Sequence, residues 1–285
     1  MLLSVLGLTV MHFLTRYLGT SVSSWTKTFY RSLFTLLFVL LWMLVRGERI
    51  RFYNRPVLIL RGVAGAISIT LFFWAIDLIG LLAATLYLYL YPVFAILFAM
   101  LLFKERFSPW FLAPLAAALA GLYLIVNPTF DSFTLGHGIG MVNAITSGIA
   151  RASLRKLRKT DSPANIVVVF MSFGMVLSGA GVLLLPGQSW HFNTSAGLGT
   201  PVIWIILIGI AACSAFSLIT VTIAYGHLST ATASIMTMLI LPLTAVIAVL
   251  YFHESLTVSK IVGGLLITGA GIGVTLIPSE KSSYS

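Results

Sequence analysis

The 91 residues from Ser162 to Phe252 contain no aspartate, glutamate, lysine or arginine. A globular chain stays in water through its charged side chains, about 25% of an ordinary soluble sequence, and no soluble domain forgoes them over such a length. The deficit extends to the whole chain: 8% of its 285 residues are charged and 59% are hydrophobic, with a mean hydropathy of +1.05. A soluble enzyme, a disordered chain and a collagen-like protein are excluded, and lipid must be the solvent. The single cysteine, Cys213, cannot form a disulfide within the chain or make a cysteine-rich metal site. It lies in an apolar run and reads as a small hydrophobe, so the redox compartment is undetermined.

A net charge of +10 would suggest nucleic acid as a partner if the basic residues shared a polar domain, which they do not. A spanning helix needs about 20 mainly apolar residues. Cuts at charge clusters, prolines and Gly/Ser/Asn turns leave ten such segments: 1–18, 22–45, 56–76, 81–103, 109–126, 137–154, 163–185, 201–225, 229–252 and 258–277. The runs are continuous rather than alternating, which predicts an all-α integral membrane protein and not a barrel. Connectors are short, so no separate catalytic domain is available. The first segment has no basic residue ahead of it and no clear small-residue cleavage site, and it reads as a span rather than a signal peptide. Starting at Met1 without a tail, it predicts a slightly short first helix or a late start.

Lysine and arginine set the orientation. With the N-terminus inside, Arg46, Arg49, Arg51, Arg55, Arg61, Lys104, Arg106, Arg151, Arg155, Lys156, Arg158, Lys159 and Lys281 fall on the cytoplasmic side, leaving Arg16, Lys27, Arg31 and Lys260 on the outer half. Both termini are then cytoplasmic, as expected for a multi-pass protein of a bacterial inner membrane.

A shift of about 150 residues superposes Ala83 on Ala233, Pro92 on Pro242, Gly121 on Gly271 and Pro128 on Pro278. Glu105 and Glu254 correspond with a one-residue slip, and near the starts of the halves the offset is 140, placing Leu14 on Leu154 and Arg16 on Lys156. Two five-helix repeats follow, 1–134 and 135–285, and the odd helix count forces them into opposite orientations. Inverted repeats with a site between them are the architecture of secondary transporters.

The chain resembles the EamA-like family of the drug/metabolite transporter superfamily. The residues that carry the resemblance are Arg31, the stretch from Ala83 through Pro92 to Phe103–Ser108 (FKERFS), and the glycine-bearing fifth helix ending at Asn127 and Pro128. Their second-half counterparts are TATAS, Pro242, FHESLT and GGLLITGAGIG. The resemblance implies a ten-helix carrier of small organic metabolites, amino-acid-like or nucleobase-like, without a prosthetic group or other cofactor.

Ionisable groups inside a bilayer are costly and are functional candidates by default. Arg31 lies 15 residues from Arg46, about 22 Å of helix, with Lys27 one turn away and with His12 and Arg16 forming an i, i+4 pair in the first helix. They could form a vestibule for a carboxylate or phosphate, or Lys27 and Arg16 could snorkel to headgroups while Arg31 bonds carbonyls or Asp77. Glu105 and Glu254 read as dipole complements for the helices that follow them, and Ser108 before Pro109 as a cap. No carboxylate is left in the core for a proton relay. This favours exchange or facilitated diffusion, with proton coupling through His12 or His227 as the alternative. Asp77 and His227 are repeat equivalents placed at opposite gates.

Tyr87, Tyr91, Phe94 and Phe98 share one face of a continuous fourth helix, with Tyr89 on the opposite face, while Ser234, Thr237 and Thr244 share a face of the ninth. An aromatic stripe would then face a hydroxyl stripe across the midplane, with Tyr87, Tyr91, Ser234 and Thr237 binding substrate. Alternatively the aromatics are ordinary core and the hydroxyls bond their own i−4 carbonyls. Ala113, Ala117 and Gly121 in the fifth helix, and Gly269 and Gly273 in the tenth, predict close helix contact or a homodimer face. The five histidines are scattered, which argues against an embedded metal or acyl-transfer enzyme. A membrane scaffold or lipid-flipping protein is the other rival. Expected partners are a small-molecule substrate and membrane lipids, not nucleic acid.

Overall fold

A computed structural model describes residues 1–19, 21–105, 108–126, 134–185, 190, 192, 199–252 and 257–277, without the side chains of 73, 77, 80–82, 248, 249 and 252. Among them the regular structure is entirely helical. In chain order it comprises α1 (Leu2–Leu18), α2 (Ser24–Val45), α3 (Arg55–Leu88), α4 (Tyr91–Phe103) and, after a 3-10 turn at Pro109–Phe111, α5 (Leu112–Val126). The second part of the chain forms α6 (Leu135–Leu157), α7 (Pro163–Leu184), α8 (Thr200–His227), α9 (Thr230–Thr237), α10 (Ile240–Phe252) and α11 (Val258–Leu276). Among the described residues eight helical stretches are long and apolar enough to cross a membrane, and α1 is a shorter apolar helix. The less apolar α6 turns Gly136, Gly140, Asn143, Ser147 and Gly148 into the protein interior.

Element ends follow local chemistry. Ser23, Ser162, Ser229 and Thr257 accept hydrogen bonds from the amides of Thr26, Asn165, Thr232 and Lys260 and cap α2, α7, α9 and α11. Ser108 precedes a proline as expected, but its side chain makes no cap bond. The expected fourth and ninth helices are each broken, at Tyr89–Leu90 and at Met238–Leu239. Proline explains both. Pro92 and Pro242 cannot donate to the carbonyl four residues earlier, and the ring crowds it; the chain tightens there into i→i+3 bonds such as Leu90 N–H to Tyr87 O and Leu241 N–H to Met238 O.

The 34 residues from Arg55 to Leu88 are helical from end to end and are described as one element, α3, where two segments were expected, although the contacts below show that its two ends run in opposite directions. A straight helix of that length would reach about 51 Å, against about 30 Å of hydrocarbon. Its neighbours on α6 show how it fits. Ser68 bonds Asn143 and Ser147, and Leu78 and Ile79 pack on Gly136, so this part runs antiparallel to α6. Tyr87 then packs on Gly140, and Phe94 and Ala95 on Gly148, parallel to it. The chain therefore reverses along α6 between Ile79 and Tyr87.

Helix pairing is by close approach at small residues, the mode available where lipid removes any hydrophobic drive between helices. Trp25 packs on Gly181, Phe29 on Gly179 and Ser32 on Gly174, making α2 antiparallel to α7. Gly121 abuts Gly263 and Ile267, and Ser259 Oγ donates to Leu124 O, making α5 antiparallel to α11. α3 lies on α6 and α8 on α1.

The buried Asp161, in the turn between α6 and α7, accepts from the amides of Tyr53 (3.0 Å) and Asn54 (3.2 Å) and ties down the loop before α3. Asp161→Ala leaves both donors without an ionised acceptor and is expected to cost about 3 kcal/mol. Thermal unfolding in detergent checks this; an unchanged melting curve would mean that the tie is dispensable.

Candidate functional site

Breaking α9 from α10 frees a carbonyl. The Met238 amide, which would close an α-turn on Ser234 O, bonds Ile235 O instead, and the Tyr91 hydroxyl donates to Ser234 O at 3.1 Å. The Ser234 hydroxyl lies 3.1 Å from the hydroxyl of fully buried Tyr225 in α8. The Arg151 guanidinium of α6 sits 4.4 Å over the Tyr91 ring and lies within electrostatic range of the Tyr225 hydroxyl. Arg61 of α3 is 8% exposed, lies 4.1 Å over the Phe170 ring of α7, and falls within electrostatic range of both Arg151 and Tyr225. Its Nε is buried without a hydrogen-bond partner. Around this group Leu58, Leu154, Leu157, Ile166, Val221 and Ala233 form a continuous apolar wall. Two guanidiniums thus converge with phenols and a serine hydroxyl.

Glu105 lies just below. Lys104 has φ of 52°, a left-handed terminus for α4 that turns the next residue toward the second half of the chain. Glu105 pairs with Arg155 of α6, and accepts from the Thr230 amide at 2.9 Å and the Thr230 hydroxyl at 2.7 Å. It therefore complements the N-terminus of α9, 125 residues away in the chain, rather than the α5 helix that follows it in sequence. Glu254 lies outside the described residues.

The expected site residues are distributed as follows. Tyr91 and Ser234 meet. Tyr87 packs instead against Gly140 of α6, with its ring 5.9 Å from that of His137, and the Thr237 hydroxyl donates to Ala233 O, its own i−4 carbonyl. The shared face assumed an unbroken helix; the turn before Pro92 separates Tyr87 from Tyr91. The same turn brings Tyr89, expected on the opposite face, within 6.3 Å of the Tyr91 ring.

His12 of α1 lies within electrostatic range of Arg31 of α2, whose guanidinium reaches the Met11 sulfur at 3.9 Å and whose Nε is buried without a partner. Lys27 donates to Gly19 O, and Arg16 is exposed in the last turn of α1. His227 is exposed at the C-terminus of α8. Asp77 lies in α3, and its side chain is outside the described residues.

Residues 1–127 match the model of the EamA-like transporter family. The pseudopaline exporter of Pseudomonas aeruginosa is 26% identical over 267 residues, covering 93% of this chain and 91% of its own. The chain is thus similar to the EamA-like transporters, and the family match lies within its first 127 residues. An uncharacterized transporter of Helicobacter pylori is 29% identical, covering 65% of this chain and 63% of its own. A crystal structure shares the fold with a TM-score of 0.81 at 17% identity, over 96% of this chain and 94% of that one. With these transporter relatives and its spanning-length apolar helices, the protein is a multi-pass membrane transporter, not an enzyme.

Two arginines of this EamA-like chain escaped the sequence reading because both were counted with the cytoplasmic cations. Arg61 lies six residues inside α3 and Arg151 six residues before the end of α6, about 9 Å within their helices. That depth, with a glycine one turn from Arg61 at Gly65, was the available signal. The small residues also divide. Gly121 is at the helix crossing, whereas Ala113, Ala117, Gly269 and Gly273 line a shallow groove between α5 and α11, and nothing lies within 4 Å of a Cβ built on Gly269 or Gly273.

Proposed function

We propose that the chain is a secondary transporter of ten spans, built as two inverted five-helix repeats, which moves a small organic metabolite by alternating access. The observation behind this reading is that the repeat-equivalent pairs α2/α7 and α5/α11 pack antiparallel, as a pseudo-two-fold axis in the membrane plane requires. The equivalent breaks before Pro92 and Pro242 support it, since discontinuous helices at a repeat interface free backbone groups where a substrate can use them. The substrate has at least one anionic group, which Arg31 and His12 attract at the outer vestibule, and Asp77 and His227 act at the two gates. Both termini are cytoplasmic, in a bacterial inner membrane. No mid-span carboxylate is present among the described side chains, which favours exchange or facilitated diffusion. A homodimer would use the α5/α11 groove. A relative named as an exporter favours outward movement of the metabolite.

Uptake by proteoliposomes tests this with a panel of amino acids, nucleosides, carboxylates and quaternary amines. An anionic compound is expected to be transported, and Arg31→Ala to slow it about tenfold or more while leaving membrane insertion intact. Transport of a simple cation alone would overturn the charge reading. Transport of nothing in the panel would favour a scaffold or lipid-flipping role.

A further inference from the structure

The Arg61–Arg151 group sits at the opposite depth from Arg31, and its charges are unanswered. Two guanidiniums converge there, and among the described residues no carboxylate bonds to either. The nearby acids are committed: Glu105 to Arg155 and Thr230, and Asp161 to Tyr53, Asn54 and Thr160. Arg61 is more than nine-tenths buried, with one guanidinium nitrogen unpartnered. A buried cation is retained only where something compensates it, and ring faces such as Phe170 and Tyr91 compensate it in part. The remaining donors are hydroxyls and guanidinium N–H groups, the set that oxyanions accept from in a forked geometry. Every member except the backbone comes from a different helix, drawn from both halves of the chain.

We propose that Arg61, Arg151, Tyr225 and Ser234 form an inner oxyanion site, which takes the carboxylate or phosphate of a solute on the cytoplasmic side of the transport path. This rests on the transporter reading and extends it: the anionic group passes between Arg31 in the outer half and the arginine pair in the inner half. Tyr91 holds Ser234 by its backbone and supports Arg151 with its ring, so it is a positioning residue for the site.

The test uses the full-length protein in nanodiscs of neutral phosphatidylcholine, titrated with inorganic phosphate or succinate against chloride at matched ionic strength. Thermal stability reports occupancy, since a ligand bound only to the folded state raises the melting point. Saturable stabilisation by at least one oxyanion is expected. Arg61→Gln and Arg151→Gln should each weaken it about tenfold or more, Tyr225→Phe should weaken it less, and Arg49→Gln, an exposed charge in the cytoplasmic loop, should not change it. Failure of Arg61→Gln to fold leaves Arg151→Gln and Tyr225→Phe to decide, and unchanged affinity in both overturns the site. So does the absence of any oxyanion effect on the wild type. Stabilisation by phosphatidylglycerol alone, lost in Arg151→Gln, would assign the charges to a lipid headgroup and also overturn it. Oxyanion binding without transport would remove the transport reading and leave the site. Transport of uncharged compounds without oxyanion binding would do the reverse.

Discussion

Glu105→Ala is expected to destabilise the end of the bundle where α4 meets α9 by about 3–4 kcal/mol, the range for removing one partner of a largely enclosed ion pair. The carboxylate is the common acceptor for Arg155, the Thr230 amide and the Thr230 hydroxyl, so its loss leaves a cation and the first amide of α9 without their acceptor. Glu105→Gln, which keeps an acceptor oxygen for Thr230 but leaves Arg155 uncompensated, should cost less. Adding Arg155→Met to Glu105→Ala should recover part of the loss, because the two changes share one interaction and cannot be additive. Thermal unfolding measures the totals, and hydrogen exchange of the α9 amides locates the effect. Undiminished protection of α9 in Glu105→Ala would show that the cap does not hold it. Because Glu105 belongs to the first half and Thr230 to the second, the same contact must be remade or broken if the halves rock, and the variant should also change the cytoplasmic accessibility of Arg158.

Gly121→Val is expected to be comparably damaging. A Cβ at Gly121 would lie 2.5 Å from the Gly263 carbonyl oxygen, and the reciprocal Cβ at Gly263 would lie 2.6 Å from that of Gly121. Both obstacles are backbone, so the helices must separate along their whole crossing, and the contacts that pair α5 with α11 go with it. Overpacking of this kind costs about 3 kcal/mol or more when no side chain can yield. Gly269→Ala and Gly273→Ala, where a Cβ meets open space, should leave folding unchanged. Yield of monodisperse protein and its melting point distinguish the three. Equal loss in all of them would mean that the groove is covered by a second copy in the membrane.

Those glycines show how far the chain was legible. Ala113, Ala117, Gly121, Gly269 and Gly273 have the same small-residue spacing, and that spacing alone cannot say which of them meets another backbone. The prolines were more informative. Pro92 and Pro242 each stand just past a helix break, because a missing N–H acts locally. What followed from the breaks did not read out of the sequence: Tyr87 and Tyr91 part company, Tyr89 joins the group it was expected to face away from, and Ser234 O becomes available to another helix. A helical period describes a face only as far as the helix continues.

The charge deficit and the length of the apolar runs determined, without tertiary information, that this protein is a helical membrane protein, because hydropathy measures the contrast between lipid and water and each span meets that contrast on its own. The resemblance to the EamA-like transporters was likewise present in the order of prolines, glycines and glutamates. Only the tertiary structure decided that Arg61 is enclosed and Arg151 sits over the Tyr91 ring while Arg49 is exposed, and that Glu105 caps α9 rather than α5. Inside a bilayer, lipid and protein interior are equally apolar. The sequence therefore carries little contrast between a helix face that meets lipid and one that meets another helix, and the packing of the whole bundle decides which charges are enclosed.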